Sequence, residues 1–157
     1  MKTIRYILSI FSFMLVLVGC SDDDGKVVSN NELTMASGIY NLVELNINPA
    51  QDINNDGNTT SNVLTELPCA TGALNLRDDG NWIWTTLEMS VTSITGGAFH
   101  LSCTPDTTTR SGSWNISNNQ ITLFDGATNF NFIKDADRLT IIVGDDLPGF
   151  ASMVFER

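Results

Sequence analysis

From residue 38 to residue 157 the chain alternates short runs of apolar, β-branched and aromatic residues with clusters of Gly, Asp and Asn. That rhythm predicts strands at 38–47, 71–77, 81–91, 97–103, 110–116, 120–125, 128–134, 138–143 and 149–156. Links such as Asp78-Asp79-Gly80 and Ser117-Asn118-Asn119 suit tight hairpins, because these residues tolerate the left-handed backbone that such turns require. Serial hairpins give an antiparallel up-and-down meander, and eight or nine strands in that order can close into a barrel with no exposed edge. One stretch reads as helical. "TSNVLTELPC", residues 60–69, offers Thr60 or Ser61 as a cap, apolar Val63, Leu64 and Leu67, and Pro68 as a stop. It predicts two turns packed over a barrel end, so the expected fold class is all-β, an antiparallel meander barrel of 8–9 strands with one short helix.

Within the strand at 81–91, Trp82 and Trp84 share one face, and Ile83, Leu87, Met89 and Val91 share the other, since side chains alternate along a strand. The longer apolar row is the better candidate for the barrel interior. Trp82 and Trp84 are then either packed beneath the helix or at a barrel end, or an exposed platform on which a sugar ring or a partner's apolar residue could stack. Trp114, in "GSW", reads as core.

The first nineteen residues follow a different pattern. Lys2 and Arg5 give a positive start, Tyr6 to Val18 is almost purely apolar over 13 residues, and Gly19-Cys20 closes the run. This is the layout of a secretory signal, and it is short of the roughly 20 apolar residues that a membrane-spanning helix needs. Leu17-Val18-Gly19-Cys20 resembles the lipobox of bacterial lipoproteins. That resemblance implies a diacylglyceryl group on the Cys20 thiol, cleavage before it and acylation of the new amino end; several acyl chains hold a protein durably where one does not. Ser21-Asp22-Asp23-Asp24-Gly25 resembles the acidic export signal of surface lipoproteins of the Bacteroidota, which implies lipid anchoring on the outer face of the outer membrane. A solvated acidic tether is the plainer alternative. Residues 1–19 are expected to be a signal peptide, 20–36 a lipidated acidic tether, and 37–157 one folded domain.

Charge narrows the partners. Eight Lys and Arg stand against 18 Asp and Glu, a net charge of −10, and loss of Lys2 and Arg5 with the signal takes it to −12. Nucleic acid is disfavoured, since phosphate binding needs clustered cations. Most carboxylates fall in "RDDG", "FDG", "KDAD" and "GDD", which read as loop punctuation. The chain has no G-x-S-x-G and no glycine-rich phosphate loop, and His100 is its one histidine, so an enzyme is not expected. With Cys20 lipidated, Cys69 and Cys103 remain as a pair in an oxidising compartment, which predicts a disulfide; two free thiols or a metal pair are the alternatives.

"DINNDGNTT", residues 52–60, has the first half of a calcium-loop pattern. Asp52, Asn54 and Asp56 alternate oxygen ligands, Gly57 allows a sharp turn, Asn58 offers a carbonyl and Thr60 a ninth-position oxygen. Val63 stands at the twelfth position, where a bidentate Glu belongs, and Glu66 lies three residues further on. The expected role is a structural calcium ion pinning a long loop, against an Asn/Asp-rich turn with no ion.

Taken in order, Gly38-Ile39-Tyr40-Asn41-Leu42, the segment from "DINNDG" to "TSNVLTELPC", Asp79-Gly80-Asn81-Trp82, Ser111-Gly112-Ser113-Trp114 and the last apolar strand resemble the lipocalin-like domains of Bacteroidota lipoproteins. The resemblance covers 37–157. Lipocalins proper carry Gly-x-Trp on the first strand, where this chain has Tyr40. It implies a barrel that binds a small or hydrophobic ligand. Two alternatives come from other classes: a filled barrel serving as an interaction or accessory subunit of an outer-membrane complex, and a glycan-binding module using Trp82 and Trp84. An apolar cavity of roughly 300 Å³ or more favours the ligand binder, a filled interior the interaction role, and an exposed tryptophan pair the glycan role.

Overall fold

The structure is a computed structural model that describes residues 30–94, 96, 98–126, 128–143 and 150–157. The expected signal peptide, Cys20 and the acidic run lie outside the described residues. Among these residues are nine strands: β1 Gly38–Gln51, β2 Thr60–Asn62, β3 Gly72–Leu76, β4 Asn81–Ser93, β5 Phe99–Ser117, β6 Gln120–Asp125, β7 Thr128–Asp135, β8 Arg138–Ile142 and β9 Phe150–Glu156. The helices are α1 Asn30–Ala36 and α2 Val63–Glu66. Eight strands pair antiparallel in the order β1-β3-β4-β5-β6-β7-β8-β9, and β9 returns to β1 through pairs such as Leu45↔Met153, which closes the barrel. The ninth, β2, extends the sheet beside β3. Asn46 pairs with both Asn62 and Ser152, while Asn41 pairs with both Ala73 and Glu156, so β2 and β3 share the edge of β1 opposite β9.

The hairpin turns follow the predicted chemistry. Asn118 and Asn119 both adopt positive φ, 49° and 63°, between β5 and β6, the twist that matches a two-residue hairpin.

Three elements differ from the sequence reading. The strands expected at 97–103 and 110–116 are parts of one strand, β5, which runs Phe99–Ser117. The ladder shifts between Leu87↔Thr107 and Met89↔Cys103, so Thr104, Pro105 and Asp106 stand opposite Glu88 alone. Proline has no N–H for a ladder and is accepted at such irregularities, so the strand continues past it. Second, Asn30–Ala36, expected to be tether, is a helix that folds back on the barrel: Ala36 is buried, Leu33 packs on the core, and the buried Tyr40 hydroxyl donates to Ala36 O at 2.8 Å. Packed structure thus extends to residues ahead of 37, and the described residues include a second helix that its polar composition hid. Third, 60–69 is not two turns of helix. Thr60–Asn62 is strand and α2 is a single turn, capped by Asn62, whose Oδ1 accepts from Leu64 N at 3.1 Å and from Leu45 N at 3.1 Å.

The interior has two packed regions. Near α1, Tyr40, Leu76, Trp82, Trp114, Leu123, Leu139 and Phe155 are buried in one cluster. At the far end, Leu45, Ile47, Leu101 and Val63 of α2 form a second, so α2 lies over the barrel end as expected. The Cys69–Cys103 disulfide, with Cα atoms 6.3 Å apart, ties the segment after α2 to β5.

Candidate functional site

The tryptophan face is the inward one. Trp82 is fully buried and Trp84 is 9% exposed, so neither forms an exposed stacking platform. The alternation of β4 predicts that Met89 and Val91 should then face out, yet both pack on the second cluster. The register shift at Leu87–Met89 accounts for this: the parity of inward side chains changes across it, as it does on β5 from Trp114 and Arg110 to Leu101. One strand therefore lines both halves of the interior.

At the junction of the two clusters is a cavity of about 370 Å³. Leu42, Leu45, Met89, Val91 and Met153 form its apolar side; Thr86, Glu88, Thr108 and Arg110 form its polar side. A second cavity of about 560 Å³ is bordered by Phe130 and Asn131 of β7 and by Ile141 and Val143. Trp84 and Met153 line both. The second cavity follows from how little β7 and β8 pair. Among the described residues their ladder has Ile133↔Thr140, Lys134↔Leu139 and Asp135↔Arg138, so Thr128–Phe132 and Ile141–Ile142 are not paired with each other there.

Trp84 is held by three aromatic neighbours in edge-to-face contact, Phe130, Phe132 and Phe155, with centroids at 5.5, 5.8 and 5.6 Å. Trp82 Nε1 donates to Ser113 O at 2.9 Å and Trp114 Nε1 to Arg77 O at 2.9 Å. Trp84 Nε1, also buried, has no acceptor among the described residues. An orphaned buried donor costs about 1–3 kcal/mol. The polar wall, by contrast, is paired. Arg110 Nε donates to Asp125 at 2.7 Å while its guanidinium lies 4.5 Å from the Phe130 ring centre, and Glu88 accepts from the Thr108 hydroxyl.

The Asp52–Thr60 loop lies apart from these cavities, between β1 and β2. Asp52 accepts from Asp56 N at 3.0 Å and Gly57 N at 2.9 Å, and Asp56 accepts from Asn58 N at 2.8 Å. The Asn58 N–H, then the Asn54 side chain, hold the Asp56 carboxyl below its ordinary pKa. Thr60 Oγ1 accepts from Asn62 N at 3.1 Å. Val63, at the twelfth position, is in the core. Glu66 is buried and bends back to this loop, where it accepts from Ile53 N and Asn54 N at 3.2 and 3.3 Å. Among the described residues no three His, Cys, Asp or Glu side chains converge as a ligand set, so any ion here would rest on Asp52 and Asp56 with neutral Asn, Thr and carbonyl oxygens. His100 is exposed on β5 opposite Thr92.

Sequence reasoning missed Arg110, Met153 and the short β7–β8 ladder. No family model, curated protein or solved structure matches this chain.

Proposed function

We propose that the domain is a non-catalytic binding module for a small apolar ligand, held inside the barrel and carried on an outer-membrane lipid anchor at Cys20. The pair of cavities meeting at Trp84 and Met153 supports this reading most directly. Their volumes lie in the range of small-molecule sites, and apolar side chains make up the larger part of each lining. The glycan reading loses its support, because both indoles it requires are buried. Detergent extraction of the membrane fraction followed by native mass spectrometry tests both halves of the proposal. The expected product begins at Cys20, carries acyl groups and releases an apolar molecule on activation. An unacylated chain would refute the anchor; a chain that neither carries nor takes up an apolar probe would refute the cargo.

The loop at Asp52–Thr60 is assigned a structural calcium ion, with Asp52, Asn54 and Asp56 as the leading oxygens. With two carboxylates and no bidentate closing Glu, the affinity belongs with the millimolar sites of extracellular modules. Calcium at roughly five times such a Kd stabilises the native state by about 1 kcal/mol. For a domain of this size the expected rise in Tm is about 3 °C. A Tm unmoved by several-millimolar calcium, on the order of the affinity invoked, removes the ion from the account.

A further inference from the structure

We propose that the Trp84 indole N–H selects the ligand, which is an elongated, uncharged, apolar molecule bearing a single acceptor oxygen of the ketone or ester kind. The inference rests on reading the barrel interior as a ligand site and gives that site its chemical preference. Its first support is the contrast among the three indoles. Those of Trp82 and Trp114 are satisfied by backbone carbonyls, whereas the Trp84 donor, in a side chain about nine-tenths buried, has no partner among the described residues. Buried donors are nearly always paired, so one left open in a side chain that lines both cavities is explained by an acceptor brought by the ligand. The donor is also fixed in advance. Phe130, Phe132 and Phe155 hold the indole ring, so little ordering is lost when an acceptor arrives.

The absence of charge follows from the polar wall. Arg110 is committed to Asp125 and to the Phe130 face, and Glu88 adds a negative charge beside Thr108. A carboxylate head would thus meet an acid with no uncommitted cation among the described lining residues. The elongated shape follows from the shared lining. Met153 borders both chambers beside Trp84; an unbranched side chain, it can turn to join them.

Competition against an apolar fluorescent dye, using a medium-chain methyl ketone, the alkane of matched length and the matched free acid, tests the proposal. In the wild-type protein the ketone is expected to displace the dye roughly tenfold more tightly than the other two, the worth of one buried hydrogen bond. Trp84→Phe deletes the N–H together with the pyrrole ring, so affinity for every probe shifts with the enlarged cavity, and the readout is the ratio of ketone to alkane affinity, which should fall to about one. Equal affinity for ketone and alkane, tightest binding of the acid, or a preference that survives Trp84→Phe would overturn the proposal and leave the cavity reading standing. Failure of the dye and all three probes to bind would instead overturn the cavity reading. If the variant does not fold, the wild-type indole N–H resonances decide. The ketone should move the Trp84 signal downfield and the alkane should not; no movement with bound ketone overturns the proposal.

Discussion

Gly112→Ala is expected to destabilise the domain by about 3–5 kcal/mol, above the usual cost of an overpacked core because the atom in the way is backbone that cannot swing aside. Gly112 sits on β5 opposite Trp82, on the face that points inward. A Cβ built on it would lie 1.9 Å from Phe124 O and 3.0 Å from Trp82 Nε1. The same Phe124 carbonyl is a second acceptor for the Trp82 indole, at 3.3 Å. The methyl group would need the space already taken by β6 backbone, and moving β6 would strip the indole of an acceptor. For a domain of this size, Tm should fall by roughly 10–15 °C. Thermal and urea unfolding of the purified variant provide the measurement, and a loss below about 1 kcal/mol, the scale of an ordinary surface change, would show that β6 does not pack as described.

Removing the disulfide ranks second. Cys69 follows α2 and Cys103 lies on β5, 34 residues apart in sequence. In the chain-entropy model a loop of this length stabilises by about 3–4 kcal/mol. The bond confines the excursion from β1 to β3, which includes the Asp52 loop, β2 and α2, against the far reach of β5. Cys69→Ala with Cys103→Ala should therefore lower Tm by on the order of 10 °C. The unreduced wild-type protein should show neither thiol free to an alkylating reagent. Two reactive thiols, or a double variant within about 3 °C of wild type, would contradict this account.

The strand pattern was legible because alternation and turn residues are local signals, and each acts within a few residues. The two asparagines between β5 and β6 identified their hairpin for that reason. What stayed hidden depended on partners distant in sequence. The inward face of β4 could not be assigned by assuming unbroken alternation, because its parity changes opposite three residues of β5. Two signs of that change are present in the sequence: the apolar positions move from 82 and 84 to 87, 89 and 91, and Pro105 stands in the partner strand. Helix α1 is polar enough to pass for a tether, and only Leu33 and Ala36 touch the core. The candidate site was the least legible part. Cavities form where side chains fail to meet, and no residue type marks that in advance. The pairing of Cys69 with Cys103 needed only the count of cysteines and the redox setting assigned to the mature chain.

The Arg157 guanidinium draws the last consequence. It donates to Ser37 O at 2.9 Å, bonds Asp137 and lies 5.5 Å from the Tyr40 ring centre, so the chain's last residue is clasped to the segment through which the chain enters the barrel. Entry and exit therefore share the solidly packed pole. Any pull transmitted along the backbone from upstream arrives at that pole, and α2 with the second cluster lies at the opposite one. A bulky group attached after Arg157 would crowd the clasp at the packed pole and leave the second cluster untouched.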